Sequence, residues 1–186
     1  MRSDAHQSRM RTAAVLSAGA VMIGGLPLVT ATSSQAAPLT PTVSAKASVA
    51  QAKKSKAQKK RANRARSSLV RVSLNQLGKQ YVAGAAGPNR FDCSGFTQYV
   101  YKKATGKYLP HYSGAQMNRT RRVGMKWLKP GDLLFYGRGG SQHVSMYIGK
   151  GKMIHATNPR TDVRIDRVNN GYWRGRFAGA GRIIEG

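Results

Sequence analysis

Cys93 is the only cysteine in this 186-residue chain. It rules out an intramolecular disulfide, so the fold must be held by a hydrophobic core rather than by cross-links. That constraint matters because the N-terminus reads as an export signal. Arg2, Arg9 and Arg11 form a basic start, Ala13 to Val29 is an uncharged apolar stretch, and Ser34-Gln35-Ala36 is a small-x-small cleavage site. Cleavage is expected after Ala36 rather than Ala37, since the latter would place Pro38 directly behind the scissile bond. Gly24, Gly25 and Pro27 interrupt the stretch, and no later segment approaches the ~18 apolar residues of a membrane span. Residues 1–36 are therefore expected to be a secretory signal peptide, leaving a soluble, secreted protein with no membrane span. A lone thiol in that setting is an intermolecular bridge, a buried small hydrophobe or a group kept for chemistry.

Charge divides the rest. The chain carries 32 Lys and Arg against six Asp and Glu, a net +26, and nine of the basic residues lie between Lys46 and Arg66 with no acid among them. Residues 37–66 hold almost nothing apolar larger than valine and cannot bury a core face. They read as a basic arm, disordered or partly helical where it joins a domain at 67–186. A run of this kind suits anionic wall polymers or lipid headgroups at the outer surface, or serves as a solubilising linker. Nucleic acid is not expected, because no aromatic residues interleave the basic ones and the chain is exported.

Within the domain, helical signals come first and strand signals follow. Leu69, Val70, Val72, Leu74 and Leu77 predict a helix over 67–78, stopped by Gly78. Asp92 is placed to N-cap a second helix starting at Cys93, with Phe96, Tyr99 and Val100 on its buried face. Ser113 to Met117 predicts a short third helix. Strands are expected at 133–136, 143–148, 153–156, 163–168 and 177–184. Helices followed by strands indicate an α+β fold with an antiparallel sheet.

The candidate chemistry centres on Cys93. A thiol of pKa near ~8.5 is mostly protonated at neutral pH, and a helix N-terminus favours its thiolate. A histidine must take the proton. His6 leaves with the signal, so His111, His143 and His155 remain. A hairpin turning at 149–152, with 148 opposite 151, sets 144 opposite 155 and brings His143 and His155 near each other. That permits a nucleophile, a base and a group that orients the base. Two histidines on a hairpin could also be zinc ligands, but acids or further cysteines at ligand spacing are missing from the sequence around them, which disfavours a metal site.

Tyr81, Gly84, Pro88, the run Phe91-Asp92-Cys93-Ser94-Gly95-Phe96, Gly131-Asp132-Leu133-Leu134-Phe135 and His143-Val144-Ser145-Met146-Tyr147-Ile148-Gly149 occur in that order. Together they resemble the NlpC-type family of papain-like cysteine peptidases of bacterial cell walls, over roughly residues 67–186. The resemblance implies a papain-like α+β core, with the nucleophile at a helix start packed on a small antiparallel sheet. It implies Cys93 as nucleophile, His143 as general base and His155 as the polar group that orients it, with no metal or other cofactor. The implied activity is hydrolysis of an amide in peptidoglycan stem peptides, commonly between D-glutamate and the diamino acid, through a thioester. Tyr81, Asp92 and Ser94 match positions lining the pocket for the stem peptide's free amino end. The expected protein is a monomer of the cell wall or its surroundings. The alternatives are a non-catalytic wall-binding protein of the same fold and an amidase or transpeptidase of related architecture. Two positions depart from the family pattern. Ala85 stands where many members have a second glycine, and His111 stands where many have arginine, which leaves His111 as a rival for a site role.

Overall fold

The computed structural model describes residues 42–186, with side chains from residue 46. The expected signal peptide, its cleavage site and the start of the basic arm lie outside the described residues. The first element, α1 (Thr42–Leu74), is one unbroken helix of 33 residues. Its Ala, Lys, Gln and Arg content favours helix despite repulsion between like charges. The boundary expected at residue 67 falls inside it. Ala62, Arg66, Leu69 and Ser73 recur at helical spacing and are buried, so the C-terminal half of α1 packs on the domain. Leu74 and Leu77, part of the apolar spacing that predicted the helix, are exposed. The helix ends at Leu74 rather than at Gly78, four residues before the expected stop.

Two short strands, β1 (Gln80–Tyr81) and β2 (Arg90–Phe91), pair in parallel ahead of the helix α2 (Cys93–Thr105). Asp92 caps α2 as expected, accepting from the Gly95 N–H at 2.7 Å. Gly106, at φ 73°, closes it in the left-handed conformation that favours glycine. A short helix α3 (Ser113–Asn118) and six strands follow: β3 (Arg121–Val123), β4 (Leu133–Tyr136), β5 (His143–Gly149), β6 (Lys152–Ala156), β7 (Val163–Arg167) and β8 (Phe177–Arg182). A one-turn helix α4 (Gly171–Arg174) sits between β7 and β8. The strands form a single antiparallel sheet in the order β3-β8-β4-β5-β6-β7.

The sheet has two unlike faces, because side chains alternate along each strand. Leu133, Phe135, Val144, Met146, Ile154 and Ala156 form the main core with Leu69 of α1 and Phe96 and Val100 of α2. Leu134, Tyr136, Met153 and Ala180 form a thinner layer on the opposite face, covered by Trp173 and Phe177. Register decides which face the histidines take. The β5–β6 turn is closed by Gly149 opposite Lys152, with Lys150 and Gly151 at φ 51° and 68° as its two central residues. A bulge between Tyr147 and Gly149 then sets Met146 opposite Ile154. The register expected from the sequence, 148 with 151 and 144 with 155, is thus displaced by one. The displacement is consequential, since a one-residue slip reverses the face of every side chain. It puts His155 on the same face as His143.

Candidate active site

Cys93 occupies the first position of α2 and is partly buried. Burial pushes its thiol pKa up, and the neighbouring Asp92 carboxylate adds to that. The backbone N–H groups of Val144, Ser94 and Cys93 itself pull the other way. Val144 follows His143, so the start of α2 meets the start of β5 at this sulfur. Gly95 lets α2 lie close against its preceding loop: a Cβ there would lie 2.2 Å from the Ala85 carbonyl oxygen and 2.8 Å from Ala86 Cα. Ala85 accepts the Asp92 N–H at 2.7 Å, and positive φ falls at Gly84, not at Ala85. Nothing in the backbone therefore asks for a glycine at 85.

The two histidines meet directly. His143 Nε2 lies 2.8 Å from His155 Nδ1, and both rings are buried. His155 Nε2 lies 3.2 Å from Asp166 Oδ2. Trp173 donates from Nε1 to the same oxygen at 3.1 Å and stacks on His143 at 4.7 Å between ring centroids. Arg164 reaches Asp166 Oδ1 at 2.7 Å. Burial drives the His143 pKa down to about 3, with the His155 charge adding to it, while Asp166 opposes weakly. Burial lowers His155 as well, against the pull of Asp166. Asp166 is held down at about 2, first by its hydrogen bond with His155. Among the described residues, no group of three or more His, Cys, Asp or Glu is arranged to hold a metal ion.

The residues expected around the peptide's amino end also converge. Asp92 Oδ1 accepts from Ser94 Oγ at 3.0 Å and from the Gly95 N–H, and Oδ2 accepts from the Gly84 N–H at 2.9 Å. His111 Nε2 is 2.8 Å from Oδ2. The Tyr81 phenol is raised first by burial, then by Cys93 and Asp92, which places it in the field of both. Three participants escaped the sequence reading: Asp166, Trp173 and Gln116. Buried Gln116 donates to the Ser94 and Pro110 carbonyls at 2.9 and 2.8 Å and accepts from Thr97 at 2.7 Å, tying the His111 loop to α2. The signal for Asp166 was its place two residues after Arg164 on an alternating strand, a pair of opposite charges on one face.

Residues 78–182, more than half of the chain, match the NlpC/P60 family. The chain belongs to this family. Over 108 residues it is 44% identical to the probable endopeptidase p60 of Listeria monocytogenes, covering 58% of this chain and 22% of that protein. Over 112 residues it is 38% identical to the peptidoglycan endopeptidase RipA of Mycobacterium tuberculosis, covering 53% of this chain and 24% of that one. A crystal structure of an NlpC/P60 family protein from Bacillus cereus matches with a TM-score of 0.61 at 34% identity, covering 64% of this chain and 40% of that one. The chain therefore spans less than a quarter of the length of these two curated relatives. The α+β fold with a small antiparallel sheet is that of NlpC/P60 domains, as the motifs implied.

Proposed function

We propose that this NlpC/P60 chain is a secreted peptidoglycan endopeptidase that cleaves a stem-peptide amide, between D-glutamate and the diamino acid, by a Cys93 thioester mechanism. The observation that carries the reading is the Val144 backbone N–H at the Cys93 thiol, which brings the start of α2 to the residue after His143, itself 2.8 Å from His155 of β6. His143 Nε2 is engaged by His155, which leaves Nδ1 as the nitrogen for the Cys93 proton. The thiolate attacks the scissile carbonyl, and the oxyanion is met by the Cys93 backbone N–H, with the Tyr81 hydroxyl a weaker donor. Collapse breaks the C–N bond, and the departing amine takes the proton from His143. Water, deprotonated by His143, then hydrolyses the thioester and returns the thiol and a carboxylate product. Tyr81, Asp92 and Ser94 receive the free amino end. Digestion of a defined muropeptide, read by mass analysis, tests this. A wall-binding protein gives no products, an amidase or transpeptidase gives different ones, and activity surviving in Cys93→Ala would sink the mechanism.

We also propose that the outer face of α1 binds anionic wall polymers. Lys46, Lys53, Lys60, Arg64 and Arg71 are spaced seven, seven, four and seven residues apart and are all exposed. At 100° per residue they form one stripe opposite Ala62, Arg66 and Leu69, about 38 Å long. Deleting the arm is a poor test, because Arg66 donates to the Pro130 carbonyl at 3.3 Å and also to the Ile184 carbonyl. Changing Lys53, Lys60 and Arg64 to glutamine avoids that damage. Retention on walls should fall in this variant and with added salt, with hydrolysis of soluble muropeptide retained. Retention indifferent to both would refute the electrostatic reading.

A further inference from the structure

We infer that Asp166 is a positioning residue that sets the tautomers of both histidines, so that the free ring nitrogen of His143 is an unprotonated base before substrate arrives. The inference follows from donor and acceptor bookkeeping along one chain of contacts. An ionised carboxylate only accepts. His155 Nε2, 3.2 Å from Asp166 Oδ2, must therefore carry the proton between them. A neutral imidazole has one donor and one acceptor nitrogen, so His155 Nδ1 accepts. His143 Nε2, 2.8 Å away, must then donate. The proton of neutral His143 is accounted for, and Nδ1 holds a lone pair.

The surroundings hold Asp166 to this role. Arg164 engages Oδ1 at 2.7 Å, and the Trp173 indole N–H engages Oδ2 at 3.1 Å while its ring lies against His143. A single aromatic side chain thus fixes the carboxylate and shields the base it acts through. Were His155 doubly protonated, its Nδ1–H would donate to His143 Nε2 and force the His143 proton onto Nδ1, where it blocks the thiol. Burial of both rings opposes that charge.

The inference rests on His143 as the base, but its test does not need turnover, so the two fail separately. Long-range 1H–15N spectra of the histidine-labelled full chain at pH 7 report each ring's tautomer. Both His143 and His155 should carry the proton on Nε2. A proton on Nδ1 of either ring, or on both nitrogens of either, overturns the inference. In Asp166→Asn combined with Trp173→Phe, which removes the indole N–H from the position facing His155, Arg164 draws the amide oxygen and turns the amide NH2 toward His155 Nε2. Both rings should then switch to the Nδ1–H form, with kcat falling by at least about 100-fold and KM little changed, by analogy with the tautomer loss in the Ser-His-Asp triad. An unswitched spectrum in this variant also overturns the inference. If the double variant does not fold, the wild-type spectrum still decides.

Discussion

His111 Nε2 lies 2.8 Å from Asp92 Oδ2, and with that contact the carboxylate is fully occupied. Ser94 Oγ and the Gly95 N–H fill Oδ1, while the Gly84 N–H shares Oδ2 with His111. Two oxygens offer about four acceptor positions, and four donors are in place. Three of these belong to the α2 start and its preceding loop. Only His111 comes from a separate exposed loop, so on the proposed reading it is the donor that a ligand ammonium would displace.

His111→Ala is accordingly expected to lower KM by about 2- to 10-fold for stem peptides with a free amino end, the range of one net hydrogen bond. Kinetics with an N-acetylated peptide form the control, and its KM should not respond. A rise in KM for the free-amine peptide would mean that His111 contacts substrate rather than competing with it.

Gly95→Ala should destabilise the protein by about 1 to 3 kcal/mol. The added Cβ meets backbone atoms of Ala85 and Ala86, which have no rotamer to escape through. The same carbonyl holds the Asp92 N–H, so the cap and the Cys93 position move with it. Urea unfolding measures the first effect and kcat/KM the second. Wild-type stability in this variant would contradict the close approach of α2 to its preceding loop.

What the sequence disclosed follows from how local each interaction is. The Asp92 cap, the start of α2 at Cys93 and the alternation of β5 and β7 depend on neighbours within a few residues, and all were legible. The side of the sheet taken by His155 was not, because it turns on a single bulge beside Gly149. Asp166 reaches His155 only through the β6–β7 register, which sets His155 opposite Arg164 and Met153 opposite Asp166. Arg66 read as one more cation of a solvated arm. Its burial depends on Asp132, 66 positions later, which no local pattern reveals.

That pairing sets another expectation. Asp132 is 1% exposed and receives Arg182 through Nε at 2.8 Å and Nη2 at 2.6 Å, with Arg66 Nη1 at 3.7 Å. Asp132→Ala leaves two buried guanidinium groups without their carboxylate and should cost about 3 to 5 kcal/mol. Urea unfolding would show it. A loss under 1 kcal/mol would mean that water or rearrangement satisfies both arginines.

Acid should weaken the fold well before carboxylates titrate, and the sign follows from the histidines. His143 is held neutral down to about pH 3, chiefly by burial, whereas an unfolded histidine takes up its proton near ~6.5. Between those values the unfolded chain binds more protons, so stability rises with pH across the window and falls on acidification. His155 is shifted in the same direction. Asp166, lowered to about 2, adds a contribution that is present above the ordinary carboxylate range and lost as pH falls toward 2. From pH 6.5 to 5, one such histidine accounts for up to about 2 kcal/mol. Urea unfolding at pH 7, 6 and 5 should therefore show a steady decline, and His143→Gln should show a shallower one. A flat profile in the parent protein would mean that a ring is already charged in the native state, which the neutral tautomer chain from Asp166 to His143 forbids.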